Sequence, residues 1–252
     1  MAVANKLSKT TAQPKKDAIA VFQANGMEVK LTASIVKNYL VSGDKDRITD
    51  QEVAMFINLC KYAGLNPWLK EAYCIKYGTE PATMVTGKEA FLKRAESMQE
   101  YDGMTAGIAV MNNNTGDIEY REGMITLPEE TIIGGWAEVF RKDRAHSTRI
   151  EVSFDEYAAR KKDGSLNSQW SKKPATMIRK VAIVQALREA FPKGLGGMYA
   201  AEETGHEEPE STGIPGPQPE VNADTGEVVD AEVVEKPAPK AEPEPAEQES
   251  LI

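Results

Sequence analysis

The chain is poor in the residues on which metal and redox chemistry depend: two cysteines and two histidines in 252 residues. Cys60 and Cys74 fall in segments that read as helix and strand, so they are expected to be buried reduced thiols rather than a disulfide framework. His146 stands alone in the body and His206 lies in an acidic C-terminal stretch, which leaves a zinc site of the Cys/His kind without ligands. No apolar run approaches the ~20 residues a bilayer span needs, and the N-terminus has no secretory apolar region. The expected location is therefore the cytoplasm. A nucleotide-triphosphate loop is also missing. Thr86-Gly87-Lys88 invites the comparison, but Ala82 stands where the pattern needs glycine and Glu89 where it needs Ser or Thr. Chemistry driven by ATP is not expected.

Charge is present but segregated. The whole chain carries −9, with 30 basic and 39 acidic residues. Residues 201–252 hold fifteen Asp and Glu against Lys236 and Lys240, a net of −13, which leaves residues 1–200 at +4. This last stretch has no aromatic residue and eight of the fourteen prolines, a composition that cannot bury enough apolar surface to fold alone. We read it as a disordered acidic, Pro-rich tail over 201–252. Residues 1–20, with Lys6, Lys9, Lys15 and Lys16, read as a flexible basic arm. A body over 21–200 remains. A net of +4 does not by itself indicate nucleic-acid binding, so any basic site must be a local patch.

Patterning within the body predicts an α+β fold: a small antiparallel sheet with hairpins packed against several helices, closed by a long C-terminal core helix. Met27–Thr32 alternates as a short strand, and Thr32 can cap a helix carrying Ile35, Val36, Tyr39 and Leu40. Thr49-Asp50-Gln51-Glu52 is a capping box that opens a helix with Val53, Phe56, Ile57 and Cys60 inward, ended by Gly64. A strand over 72–77 and a helix from 86 to about 98 follow. Strands are expected over 105–112 and 117–121, joined by Asn113-Asn114-Thr115-Gly116, and over 136–140 and 148–154.

The long helix begins after Pro174 and stops before Pro192. Met177, Val181, Val184, Leu187 and Phe191 fall on one side at spacings of three and four, and Arg188 falls in the middle of that side. A guanidinium there must reach a cleft and an anion or pair with an internal carboxylate, because burying it unpaired is too costly. Lys172, Lys173, Arg179 and Lys180 crowd the helix entrance, either as a solvated end or, with Arg188, as a cleft for a polyanion. Arg141-Lys142-Asp143-Arg144 sits at a hairpin tip, where charge serves solubility or tracks a phosphate backbone. Lys88 near a helix start could touch a phosphate. Trp68, in the turn after Asn66-Pro67, is either a core plug or a surface for base stacking. No clustered acids, nucleophile elbow or credible general base appears, so the protein is expected not to be an enzyme; a metal-dependent nuclease is the weaker alternative.

Four motifs in order carry a family resemblance: Gly64-Leu65-Asn66-Pro67-Trp68 with Lys70-Glu71; Tyr101-Asp102-Gly103-Met104; Arg141-Lys142-Asp143-Arg144; and Trp170, Pro174, Met177, Arg179, Gln185, Arg188, Ala190 and Phe191. Over about residues 45–200 the chain resembles the phage single-strand annealing proteins of the Bet (Red-beta)/RecT group. The resemblance implies an ATP-independent recombinase that coats single-stranded DNA and pairs it with a complementary strand. It implies ring or helical self-assembly, no required cofactor (divalent metal acting through the DNA only), and work beside a host single-strand DNA-binding protein and a phage exonuclease in a bacterial host. A passive single-stranded DNA-binding protein is the alternative. The family's DNA-groove positions match Lys70, Lys142, Arg179 and Arg188; Lys172, Lys173 and Lys180 are assigned from charge alone. The acidic tail departs from the lambda-type member, which has a folded helical domain at that end.

Overall fold

The computed structural model describes residues 18–204 and a two-residue strand pair further on. The first element is a hairpin of β1 (Ala20–Ala24) and β2 (Met27–Leu31). Asn25 and Gly26 make its turn with φ of 50° and 78°, the conformation an Asn-Gly hairpin favours. The sequence reading found β2 but placed residues up to 20 in a loose arm; Ala20 is already paired with Leu31. Residues 1–17 of that arm lie outside the described residues.

Thr32 caps as expected, its Oγ1 accepting from the Ile35 N–H at 3.2 Å. The helix it opens is short: α1 (Ala33–Ile35) widens into a π turn over Val36–Leu40 and passes into β3 (Val41–Gly43), an unpredicted strand. The capping box of α2 (Asp50–Ala63) is complete: the Glu52 N–H donates to Thr49 Oγ1 and the Thr49 N–H to Glu52 Oε2. β4 (Ala72–Lys76) pairs in parallel with β3 and antiparallel with β5 (Thr83–Thr86), so this small sheet is mixed. α3 (Lys88–Glu96) leads into the main antiparallel sheet of β6 (Tyr101–Asn112), β7 (Ile118–Glu122), β8 (Glu130–Arg141) and β9 (Thr148–Ser153), in the order β7-β6-β8-β9. β6 and β8 run longer than alternation predicted, and each contains a buried stretch, residues 106–110 and 134–137, that does not alternate.

Two short helices, α4 (Phe154–Tyr157) and α5 (Ser168–Lys172), precede the central element, α6 (Pro174–Ala190). Trp170 of α5 is fully buried against the edge of Phe154, their ring centroids 5.4 Å apart. The predicted ends of α6 are correct, but its single apolar stripe is not. Met177, Ile178, Val181, Ala182, Ile183, Val184, Ala186, Leu187 and Ala190 are all buried, so the helix is enclosed on nearly every side. It packs on β6, β8 and β9. Gly135 permits that approach: a Cβ there would stand 2.7 Å from the carbonyl oxygen of Ile178.

After α7 (Pro192–Leu195), the ordered chain continues through a 3-10 turn at Ala201–Thr204. The fold thus runs past the predicted boundary at 201, because Ala200 and Ala201 are buried and Glu202 and Glu203 are ion-paired inside. Of the acidic tail, the structure describes only the antiparallel pair β10 (Glu220–Val221) and β11 (Val228–Val229); the remainder of 205–252, and with it the reading of disorder, lies outside the described residues.

Candidate nucleic-acid interface

The stretch 64–71 is a self-braced loop. Gly64 ends α2 in the left-handed conformation, φ 58°, and Leu65 donates to the Cys60 carbonyl. Asn66 is buried; its Oδ1 accepts from the Trp68 N–H, and its carbonyl accepts from Leu69 and Glu71. The fully buried Glu71 carboxylate collects the Asn66 N–H at 2.8 Å, the Asn25 amide at 2.9 and 3.0 Å, and Lys93 Nζ at 2.8 Å. Most of this motif therefore makes structure. Trp68 is half-buried against the core with its Nε1 out of solvent, which fits the plug reading.

Lys70 adopts φ 59°, a left-handed conformation uncommon outside glycine. Its carbonyl faces Gly87, where a Cβ would come within 2.5 Å, and the Gly87 N–H donates to the Glu71 carbonyl at 3.1 Å. These contacts bring Lys70 beside Lys88, the first residue of α3. Lys88 Nζ pairs with Glu89 at 3.1 Å.

α6 divides the other cations between its sides. Arg179 Nε donates to the Ala106 carbonyl of β6 at 3.2 Å, so it faces the sheet. Lys180 and Arg188 face the segment that follows α7. Lys180 Nζ lies 2.9 Å from Glu202 Oε1. Arg188 meets Glu203 with both nitrogens, at 2.7 and 2.8 Å, donates to the Met198 carbonyl, and lies over the Tyr199 ring at 4.7 Å. The internal ion pair is thus the partner that Arg188 has. The Tyr199 carbonyl accepts from the Thr86 N–H at 2.8 Å, which ties this segment to the end of β5. One edge of the molecule therefore gathers Lys70, Lys88, Lys180 and Arg188.

The remaining cations lie elsewhere. Arg141 is mostly structural: it forks onto Asp143 at 2.7 and 2.8 Å, donates to the Ala190 carbonyl, and stacks over Phe191 at 4.5 Å. It satisfies an orphan carbonyl at the end of α6, and its guanidinium holds the Asp143 carboxyl below the usual carboxylate range. Lys142 and Arg144 are exposed at the tip. Lys172 and Lys173 are exposed at the opposite end of α6. A helix of 17 residues spans about 25 Å, so tip and helix entrance are separate patches.

Sequence reasoning missed three contributors to this edge: Tyr199 and the paired acids Glu202 and Glu203. The acidic density of the tail concealed that its first two carboxylates belong to the fold. It also missed Arg94, which donates to the Ala63 and Gly194 carbonyls and so pins α2 to α7. Burial pushes both the Cys60 and Cys74 thiols up to about 12. Among the described residues, no group of three His, Cys, Asp or Glu is placed to hold a metal ion, and no helix is long and apolar enough to cross a membrane.

A family model described as the RecT family matches residues 26–215, which takes in every element from β2 to the 3-10 turn. Recombination protein bet of Escherichia phage lambda is 27% identical over 157 residues, covering 61% of this chain and 51% of that protein. The chain thus spans about half the length of that curated relative.

Proposed function

The chain belongs to the RecT family, and from that premise we propose that it binds single-stranded DNA through the phosphate backbone, self-assembles along it, and anneals complementary strands in recombination without ATP. The observation that carries the reading is the gathering of Lys70, Lys88, Lys180 and Arg188 from three separate segments onto one edge. Cations along such an edge neutralise phosphates and release counterions, which gives sequence-independent, salt-sensitive binding. Sequence fidelity then comes from Watson–Crick pairing between the strands rather than from contacts to base edges. Subunits repeated along one strand make the grip cooperative. In this reading the protein is not an enzyme and needs no cofactor; a host single-strand DNA-binding protein and a phage exonuclease are its working partners.

Lys142 and Arg144 at the tip and Lys172 and Lys173 at the helix entrance lie at opposite ends of α6 and form patches of their own. They serve a second strand or a neighbouring subunit. The test is to mix labelled complementary strands, coated with single-strand DNA-binding protein, with and without this chain and in the absence of ATP. Faster pairing is expected; pairing no faster than the protein-free rate overturns the reading. Coating with slowed pairing identifies a passive binding protein, and cleavage products in divalent metal identify a nuclease.

A further inference from the structure

The edge proposed to hold phosphates already holds carboxylates. Glu203 presents both oxygens to the Arg188 fork at 2.7 and 2.8 Å, and Glu202 presents Oε1 to Lys180 at 2.9 Å. A guanidinium fork receives carboxylate and phosphate oxygens in the same bidentate geometry. The two acids therefore stand where two phosphodiester groups of a bound strand would place their oxygens. They also shield the cations: the side chains of Lys180 and Arg188 are only 22% and 21% exposed.

What holds this segment is chiefly ionic. Its apolar anchors are Ala200 and Ala201, the latter packed with Ile75 and Val85, and alanine side chains bury little area. One backbone bond, from Thr86 N–H to the Tyr199 carbonyl, and one turn, from Glu203 N–H to the Ala200 carbonyl, add to the attachment. The larger anchors, Leu195 and Met198, lie upstream. Release of the chain from Tyr199 onward withdraws only Ala200 from the main core. A carboxylate attachment of this kind weakens in salt and is replaceable by a stronger anion. The same acids brace the empty edge, since Glu203 Oε2 also accepts from the Ala200 N–H at 3.0 Å.

We propose that Glu202 and Glu203 form an internal phosphate mimic, seated on Lys180 and Arg188 in the free protein and displaced when single-stranded DNA arrives. This rests on the DNA-binding reading of the same edge. Displacement sets a threshold on binding: a short or weakly held strand leaves the segment closed, and a strand that places successive phosphates on both cations opens it. Opening also frees Tyr199, 53% exposed and stacked on Arg188, to stack on a base.

The experiment uses the full chain and a fluorescent oligo-dT, with anisotropy titrations across a salt series. The isosteric variant Glu202→Gln/Glu203→Gln removes the competing charges and keeps side-chain shape. It is expected to bind oligo-dT on the order of tenfold tighter than wild type, the scale of one charge-assisted hydrogen bond. A second measurement needs no variant: in wild type, amide hydrogen exchange over residues 199–204 is expected to accelerate on saturation with oligo-dT. Should the variant fail to fold, the exchange measurement decides alone. Unchanged affinity, with protection of 199–204 retained in a wild type that binds, makes the acids a structural anchor and overturns the mimic while leaving the DNA-binding reading intact. Failure of both wild type and variant to bind oligo-dT overturns both.

Discussion

Arg141 and Arg188 are held by the same device at different places: a carboxylate fork on one side, an aromatic face on another, and a backbone carbonyl at the tip. Such a guanidinium has little rotamer freedom left, and its role depends on which carboxylate it meets. For Arg141 the carboxylate partner is two residues away, within the tip itself, and its other target, the Ala190 carbonyl, lies 49 residues on. For Arg188 the partner lies fifteen residues on, across two turns and a proline. Glu52 is the clearest titrating group at this scale. Hydrogen bonding from Lys76 first, then from the Thr49 and Ala82 N–H groups, lowers its pKa from 4.5 to about 2. Because the folded value lies below the unfolded one, its stabilisation is present above about pH 4.5 and lost as pH falls towards about 2. Wild type should therefore resist urea better than Glu52→Gln at pH 7, and the gap should close between pH 4.5 and 2. A gap that stays constant to pH 2 would show that Glu52 is not held charged by Lys76.

Among elements, α6 sets what the sheet may be. It lies so close to β8 that Gly135 touches the Ile178 backbone, and no side chain at 135 can yield by rotating. Gly135→Ala should cost about 1–3 kcal/mol, the scale of an overpacked core. Gly197→Ala, with open space around its Cβ position, should stay within about 0.5 kcal/mol. Urea unfolding of both checks the contrast, and equal midpoints would contradict the close approach. The same element shows what a single sequence discloses. Pro174 and Pro192 bracket α6, and the Thr49–Glu52 box opens α2, because caps are local chemistry and need no partner. The Asn25-Gly26 hairpin was equally local but went unread. β3 could not be read, since three residues paired in parallel with β4 leave no alternation. The stripe drawn on α6 was incomplete because the main sheet covers the opposite face, where Ile178 meets Gly135 and Arg179 meets Ala106, while the segment after α7 covers the side that carries Arg188. Of the ten cations, charge and resemblance selected the set; which four share an edge depended on the Lys70–Gly87 and Thr86–Tyr199 contacts, which link segments 17 and 113 residues apart.

At the scale of the whole molecule, the proposed DNA-binding reading sets an acidic sequence and a basic edge against the same strand. Of the net −9, residues 205–252 carry −11, since Glu202 and Glu203 belong to the core and the tail's other thirteen acids face two lysines. A chain ended after Thr204 keeps the Lys180–Glu202 and Arg188–Glu203 pairs and changes from −9 to +2. The effect we predict for the removed charge is long-range: an acidic segment lowers the local concentration of an incoming polyanion and slows encounter. That action is screened over about 8 Å at physiological salt and about 3 Å at 1 M. The truncated chain should associate with oligo-dT faster than the full chain at low salt, with the difference shrinking steadily as salt rises and with little change in dissociation rate. The Glu202→Gln/Glu203→Gln change acts at contact distance and should persist at higher salt. Stopped-flow association across a salt series separates the two. Equal association rates at low salt would show that the tail does not repel the strand, and a difference that survives at 1 M would place its acids in direct contact with the basic edge.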